Sequence, residues 1–195
     1  MIRVFELFCK SNFKNITAMD LFLQFMATFK PNDHPCPKCG VKHPDWKQHA
    51  VYNRYLISFE NGCIVSYLIT IIRYRCLSCK STHAILPESI IPYQPYSFLF
   101  IIAVMKDYYT RSLTVEGICS KYDISKSTLY SWTRLYRTHK KIWLGLLEDA
   151  CTSTIQFLEG LFSGTRLYSL HEFFHTAGFS FLQGRRTKTA QSAPG

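Results

Sequence analysis

Two Cys-x-x-Cys pairs, Cys36-Pro37-Lys38-Cys39 and Cys76-Leu77-Ser78-Cys79, constrain this chain more than any other feature. A tetrahedral metal ion takes four soft ligands from two directions, and each such turn supplies two, so the chain between the pairs must double back. The intervening sequence suits that. His49 to Phe59 and Cys63 to Arg75 are dense in Val, Ile, Tyr and Thr, which favour strands. Between them stands Asn61-Gly62, the preferred dipeptide of a two-residue hairpin turn. Gly40, directly after Cys39, fits a tight knuckle in which backbone amides turn toward thiolates.

The expectation is a four-cysteine zinc ribbon in which Cys36, Cys39, Cys76 and Cys79 hold one Zn2+. Sulfur in all four positions leaves no place for water, so the metal is expected to be structural, not catalytic. Buried or redox-active thiols are the competing reading of the same cysteines. His34 and His83 lie near the pairs but are read as surface or hairpin histidines, because four thiolates suffice. Cys9, Cys63, Cys119 and Cys151 share no spacing and read as small buried hydrophobes.

The rest of the chain fixes the class. It is 195 residues long and 47% hydrophobic, too apolar for a disordered chain and too short for a large catalytic domain beside the binding modules. No apolar run approaches the 18 or so residues of a membrane span, and no export signal opens the sequence, so no membrane partner and a cytoplasmic location are expected. The fold class expected is α+β. Residues 1–30 form an N-terminal helical segment with a helix near Ile16 to Phe29. Residues 31–95 hold the zinc ribbon, a third strand from Thr82 to Leu86, and a stiff connector carrying Pro87, Pro92 and Pro95. Residues 96–141 form a helical domain beginning with a helix from Phe98 to Tyr109, 142–183 form C-terminal helices, and 184–195 form a flexible basic tail.

Within the helical domain, Leu113 to His139 carries the second informative pattern. Thr114 can cap a helix whose Val115, Ile118, Cys119 and Tyr122 share one face. Asp123-Ile124-Ser125 then makes a short turn, with Ile124 plugging the interhelical angle and Ser125 capping the next helix. On that helix Leu129, Trp132 and Tyr136 form an inner stripe, while Ser127, Tyr130, Arg134 and Arg137 form an outer one. This is the layout of a helix-turn-helix, whose second helix reads the major groove of duplex DNA. Lys126, Ser127, Thr128, Tyr130 and Ser131 are the candidates for base edges; Arg134, Arg137, Lys140 and Lys141 suit phosphates. Charge agrees with this. The chain carries a net +10, and between Arg111 and Lys141 seven basic residues face only Glu116 and Asp123. A helical hairpin with a solvated basic face is the bland alternative.

The order of these elements, CPKCG, hairpin, CLSCKSTHAILP, prolines, then ISKSTLYSW, resembles the zinc-ribbon and helix-turn-helix front end of bacterial insertion-sequence transposases. It is also similar to a small family of zinc-ribbon proteins sharing C-x-x-C-x-x-T-H-x-x-L-P and I-P-Y elements and ending near Phe-Leu-Gln, here Phe181-Leu182-Gln183. The resemblance spans roughly residues 30 to 183 and implies a transposase-like DNA-binding role, with a transposase or other protein as a further partner. A transposase catalytic domain needs a carboxylate triad on a ribonuclease-H-like sheet. Beyond Asp123 only Glu148, Asp149, Glu159 and Glu172 remain, in a short helical region. The expectation is therefore a non-enzymatic accessory or regulatory protein.

One enzyme-like motif stands apart. His171 to His175 reads HEFFH and matches the HExxH pattern of zinc peptidases. Phe181 stands where the extended motif has a third histidine, and only 20 residues follow His175, so the motif is read as a C-terminal helix with Phe173 and Phe174 packed. A zinc-ribbon module that docks onto protein is the other alternative to DNA binding.

Overall fold

A computed structural model describes residues 2–4, 16–144, 153–163 and 168–184. The fold is α+β, with the strands in the first half of the chain and most of the helices in the second. Strands β1 (Ile2–Val4), β2 (Trp46–Glu60), β3 (Cys63–Cys76) and β4 (Thr82–Pro87) form one sheet in the order β1-β4-β3-β2. β2 and β3 are the expected hairpin, paired from Trp46 opposite Cys76 to Glu60 opposite Cys63. Asn61 and Gly62 both take positive φ, 51° and 81°, as a type I′ turn requires.

Pairing runs farther toward the cysteines than strand propensity indicates. An extra residue at His49 shifts the register between Gln48 and Ala50, and the ladder resumes beyond it to Trp46. The N-terminal segment also departs from the helical expectation. Ile2–Val4 pairs in parallel with Ile85–Pro87, because the outer edge of β4 offers unpaired backbone groups to a β-branched segment.

Helix α1 (Ala18–Thr28) starts at a capping box, with Thr17 Oγ1 accepting from the Asp20 amide and Asp20 accepting from the Thr17 amide. Its Ala18 and Phe22 bury against Leu56, Ile69, Ile71 and Ile90, covering one face of the hairpin. Each large apolar side chain of this kind contributes about 1.5–3 kcal/mol when fully buried.

The second core is helical. Pro95 ends the connector, Ser97 Oγ caps α2 (Phe98–Thr110) by accepting from the Phe100 amide, and the helix buries Phe98, Phe100, Ile101, Ile102, Val104 and Met105. A helix apolar nearly all round sits centrally. Around it pack α3 (Val115–Tyr122), α4 (Lys126–Leu144), α5 (Thr154–Phe162) and α6 (Tyr168–Ala177), through Ile118, Leu129, Tyr136, Leu158 and Phe173. The backbone of residues 145–152, 164–167 and 185–195, which includes most of the basic tail, lies outside the described residues, as do residues 5–15.

The hairpin and the helices are not separate bodies. The turn end of the hairpin enters the helical core, with the Phe59 ring centroid 4.7 Å from Tyr122 and 6.5 Å from Phe100. Ile57 also bonds the connector through its backbone, donating to Pro95 O and accepting from the Ser97 amide, each at 2.8 Å. No helix among the described residues is long and apolar enough to cross a membrane.

Candidate metal centre and nucleic-acid interface

The two cysteine turns are folded alike. In the first, the Gly40 amide donates to Cys36 O at 2.9 Å and the Cys36 amide to Val41 O at 3.0 Å. In the second, the Lys80 amide donates to Cys76 O and the Cys76 amide to Ser81 O, each at 2.9 Å. Gly40 and Lys80 hold the same left-handed backbone, at φ 73° and 61°. Glycine takes that conformation without strain, whereas lysine sits there against its preference.

These turns gather all four sulfurs. Cys36 and Cys79 Sγ are 3.6 Å apart, Cys39 and Cys76 Sγ 3.9 Å, and all four lie within 4.8 Å of one another. A tetrahedral ion bonded to sulfur at about 2.3 Å sets its ligands about 3.8 Å apart. The quartet therefore fits a metal ion. Cys36 and Cys76 are buried, whereas Cys39 is exposed and Cys79 half-buried.

The thiols also lean on one another electrostatically. Hydrogen bonds from the Ser81 side chain and amide lower Cys79 to about 6. Cys39 is pushed up to about 11, since the Val41 amide favours its thiolate but desolvation and the thiols of Cys36, Cys79 and Cys76 outweigh it. Four thiolates cannot crowd together without a cation, which is what a bound metal supplies.

His83 corrects the reading of a surface histidine. It is buried, its Nε2 lies 3.5 Å from Cys36 Sγ, and its ring meets Trp46 edge to face at 5.7 Å. Burial, with the charges of Lys38 and Arg73 nearby, holds it down to about 4, hence neutral. An Nε2–H tautomer can donate to the Cys36 sulfur and support the thiolate from behind. Strand alternation carried the signal: on β4, His83 falls on the same face as the buried Ile85, while Ala84 and Leu86 pack on the other face against the core under α1.

The helical pair has the expected local chemistry. Thr114 Oγ1 accepts from the Gly117 amide at 3.1 Å, and Asp123, at φ 46°, ends α3 in the left-handed conformation. Ile124 is buried in the angle. Ser125 Oγ accepts from the Thr128 amide at 3.1 Å and bonds the hydroxyls of Ser127 and Thr128. Leu129, Trp132 and Tyr136 lie at 3% exposure or less, while Ser127, Tyr130, Arg134 and Arg137 are exposed.

The remaining candidates are set less uniformly. Lys126 forms an ion pair with Glu116 across the turn, and Thr128 and Ser131 are half-buried. Lys140 is half-buried and donates to Thr154 Oγ1 at 3.1 Å, which turns it toward α5 instead of outward along the stripe. The side chain of Lys141 lies outside the described residues. The outer face gains a residue from another helix: Tyr108 of α2 joins Tyr130, Thr133, Arg134, Arg137 and Thr138 around a groove of about 510 Å³. A pattern read along α3 and α4 alone holds no signal for it.

Residues 36–132 match the model of a family described as a domain of unknown function, DUF6431. The match opens on Cys36 and closes on Trp132, so it takes in both knuckles, the hairpin, the connector and the first turns of α4. No curated protein and no solved structure matches the chain.

Proposed function

We propose that the chain is a duplex-DNA-binding protein, related to the DNA-binding front ends of insertion-sequence transposases, that acts as an accessory or regulator without catalysing a reaction. The observation that carries this reading is the division of α4: Leu129, Trp132 and Tyr136 buried on one side, and Ser127, Tyr130, Arg134 and Arg137 exposed on the other. The cap at Ser125 also fixes where α4 begins, so the positive end of its helix dipole stands beside Ser127 at the start of the outer stripe. The arginines neutralise phosphates and release counterions, giving an affinity that falls steeply with salt, while the hydroxyls and Tyr130 address base edges.

The metal in this reading is one Zn2+. Four thiolates at tetrahedral spacing suit zinc, and with every position filled by sulfur its role is structural. Zinc would hold the knuckle end of the hairpin, where Phe25, Phe29, Trp46, Tyr74 and Ile85 form only a small core.

The test is selection from a random duplex pool at near-physiological salt. Wild type runs beside a Ser127→Ala/Tyr130→Ala/Arg134→Ala protein, with metal content measured on the same samples. A sequence enriched by wild type and lost in the variant supports the reading. Absence of enrichment by a folded, zinc-loaded wild type overturns it and turns the assignment to a protein partner, a role that exposed cross-strand neighbours such as Tyr55 and Leu68 would serve.

A further inference from the structure

Helix α6 carries a second arrangement of metal-ligating atoms, remote in chemistry from the cysteines. His171 and His175 stand one turn apart, their Nε2 atoms 2.8 Å from each other, their ring centroids 4.3 Å apart and their planes at 77°. Two arrangements bring imidazole nitrogens this close, a direct hydrogen bond and convergence on a shared cation. They differ in where the rings lie.

A head-on N–H···N bond puts both ring centres on the line of the nitrogens, about 5 Å apart, since each centre is about 1.1 Å behind its nitrogen. Two rings aimed at one ion about 2.05 Å away, at a right angle, put the nitrogens about 2.9 Å and the ring centres about 4.5 Å apart. At the tetrahedral angle the same bonds give about 3.3 Å and 5.2 Å. The observed 2.8 Å and 4.3 Å match the right-angle case.

We propose that His171 and His175 form a bidentate site for a divalent transition-metal ion that prefers right-angle coordination, of the Ni2+ and Cu2+ class. The helix is held in the orientation this needs. Leu170 and Phe173 are at 3% and 0% exposure in the core, which fixes α6 and leaves His175 exposed and His171 half-buried. Among the described residues, the cysteine quartet is the one group of three or more metal-ligating side chains. The histidine pair thus supplies two protein ligands and leaves the other positions to water, unlike a peptidase zinc held by three. It clamps one turn of the helix at spacing i, i+4.

The experiment uses the untagged, zinc-loaded full chain, titrated with Ni2+, which thiolates do not reduce. Calorimetry gives the stoichiometry, and the ring resonances of the histidines identify the ligands. The expected result is one Ni2+ beyond the zinc, with His171 and His175 resonances shifted and affinity at least tenfold weaker in His171→Ala and in His175→Gln. Alanine is a better helix former than histidine, so the first variant keeps α6, and the second keeps a polar side chain. Zinc content, assayed in every sample, separates a failure of this site from a failure of the cysteine site. Equal Ni2+ affinity in the variants, or no equivalent beyond zinc, overturns the proposal.

Discussion

The indole nitrogen of Trp132, on the buried side of α4, donates a hydrogen bond of 3.0 Å to Gln94 Oε1 in the connector. The same glutamine serves two other parts of the molecule. Its Nε2 donates to Leu182 O at 2.8 Å, and its own carbonyl accepts from the Arg54 guanidinium on β2. One side chain and one carbonyl thus join the hairpin, the candidate recognition helix and the C-terminal segment.

Gln94→Ala leaves the Trp132 N–H and the Leu182 carbonyl without this partner in a crowded interior. The expected cost is about 1–3 kcal/mol. Chemical denaturation measures it, and an unchanged midpoint would mean that the two groups find new partners by relaxation or through water.

Metal removal is expected to act on one end of the hairpin. Stripping the ion, or Cys76→Ser, takes away the bonds that hold the two knuckles, while Phe59 and Ile57 keep their packing and backbone bonds to the helical core. Amide exchange should therefore speed up strongly from Trp46 to Ala50 and little from Ile57 to Phe59. Acid should produce the same pattern, because the ligands bind as thiolates and protons compete with the metal. Uniform loss of protection along the hairpin would show that the helical core does not hold its turn end independently.

The knuckles offer a paired test of backbone strain. A Cβ at Gly40 meets nothing within 4 Å, so the cost of Gly40→Ala is conformational, about 1 kcal/mol. Lys80→Gly at the matching position relieves the same strain but frees the unfolded chain, so its net effect is a gain smaller than that. Denaturation of the metal-loaded proteins should give opposite signs for the two changes.

Glu116 sits at the candidate DNA face and pairs with Lys126, both well exposed. A surface pair of this kind adds little stability, but it ties up a cation that a phosphate would use. Glu116→Gln is expected to tighten DNA binding a few-fold and to steepen its salt dependence, with the melting temperature almost unmoved. No change in affinity would take Lys126 out of the interface.

Local chemistry made part of this molecule legible in advance. Asn61-Gly62 could hardly be other than a hairpin turn, the cysteine spacings demand knuckles, and Thr114, Asp123 and Ser125 mark helix ends by their own hydrogen bonds. Contacts between distant segments left weaker traces. The three residues of β1 pair with β4 across most of the first half of the chain, and nothing in Ile2-Arg3-Val4 names a partner. Lys140 has the charge of a phosphate contact but is turned aside by Thr154, a neighbour supplied only by the return of α5. His83 is the intermediate case, since the alternation of β4 put it on one face with Ile85 and only the sufficiency of four cysteines argued it out. Gln94, in a proline-rich connector, shows no sequence sign of its three-way role.

The hairpin has a mechanical consequence. At about 3.3 Å per residue, the 14 residues of β3 extend about 45 Å. Phe59 near the turn packs on the aromatic cluster of α2 and α3, Arg54 opposite Ile69 bonds Gln94, and the seven residues after Ile69, through Cys76, about 23 Å, lead on to the cysteines. The ribbon beyond Ile69 is therefore a lever with its fulcrum against the helices, and a rotation there of about 5° sweeps the knuckles through about 2 Å. Any partner that touches both the knuckles and α4 must match that span, so the length of the ribbon acts as a ruler between the two surfaces.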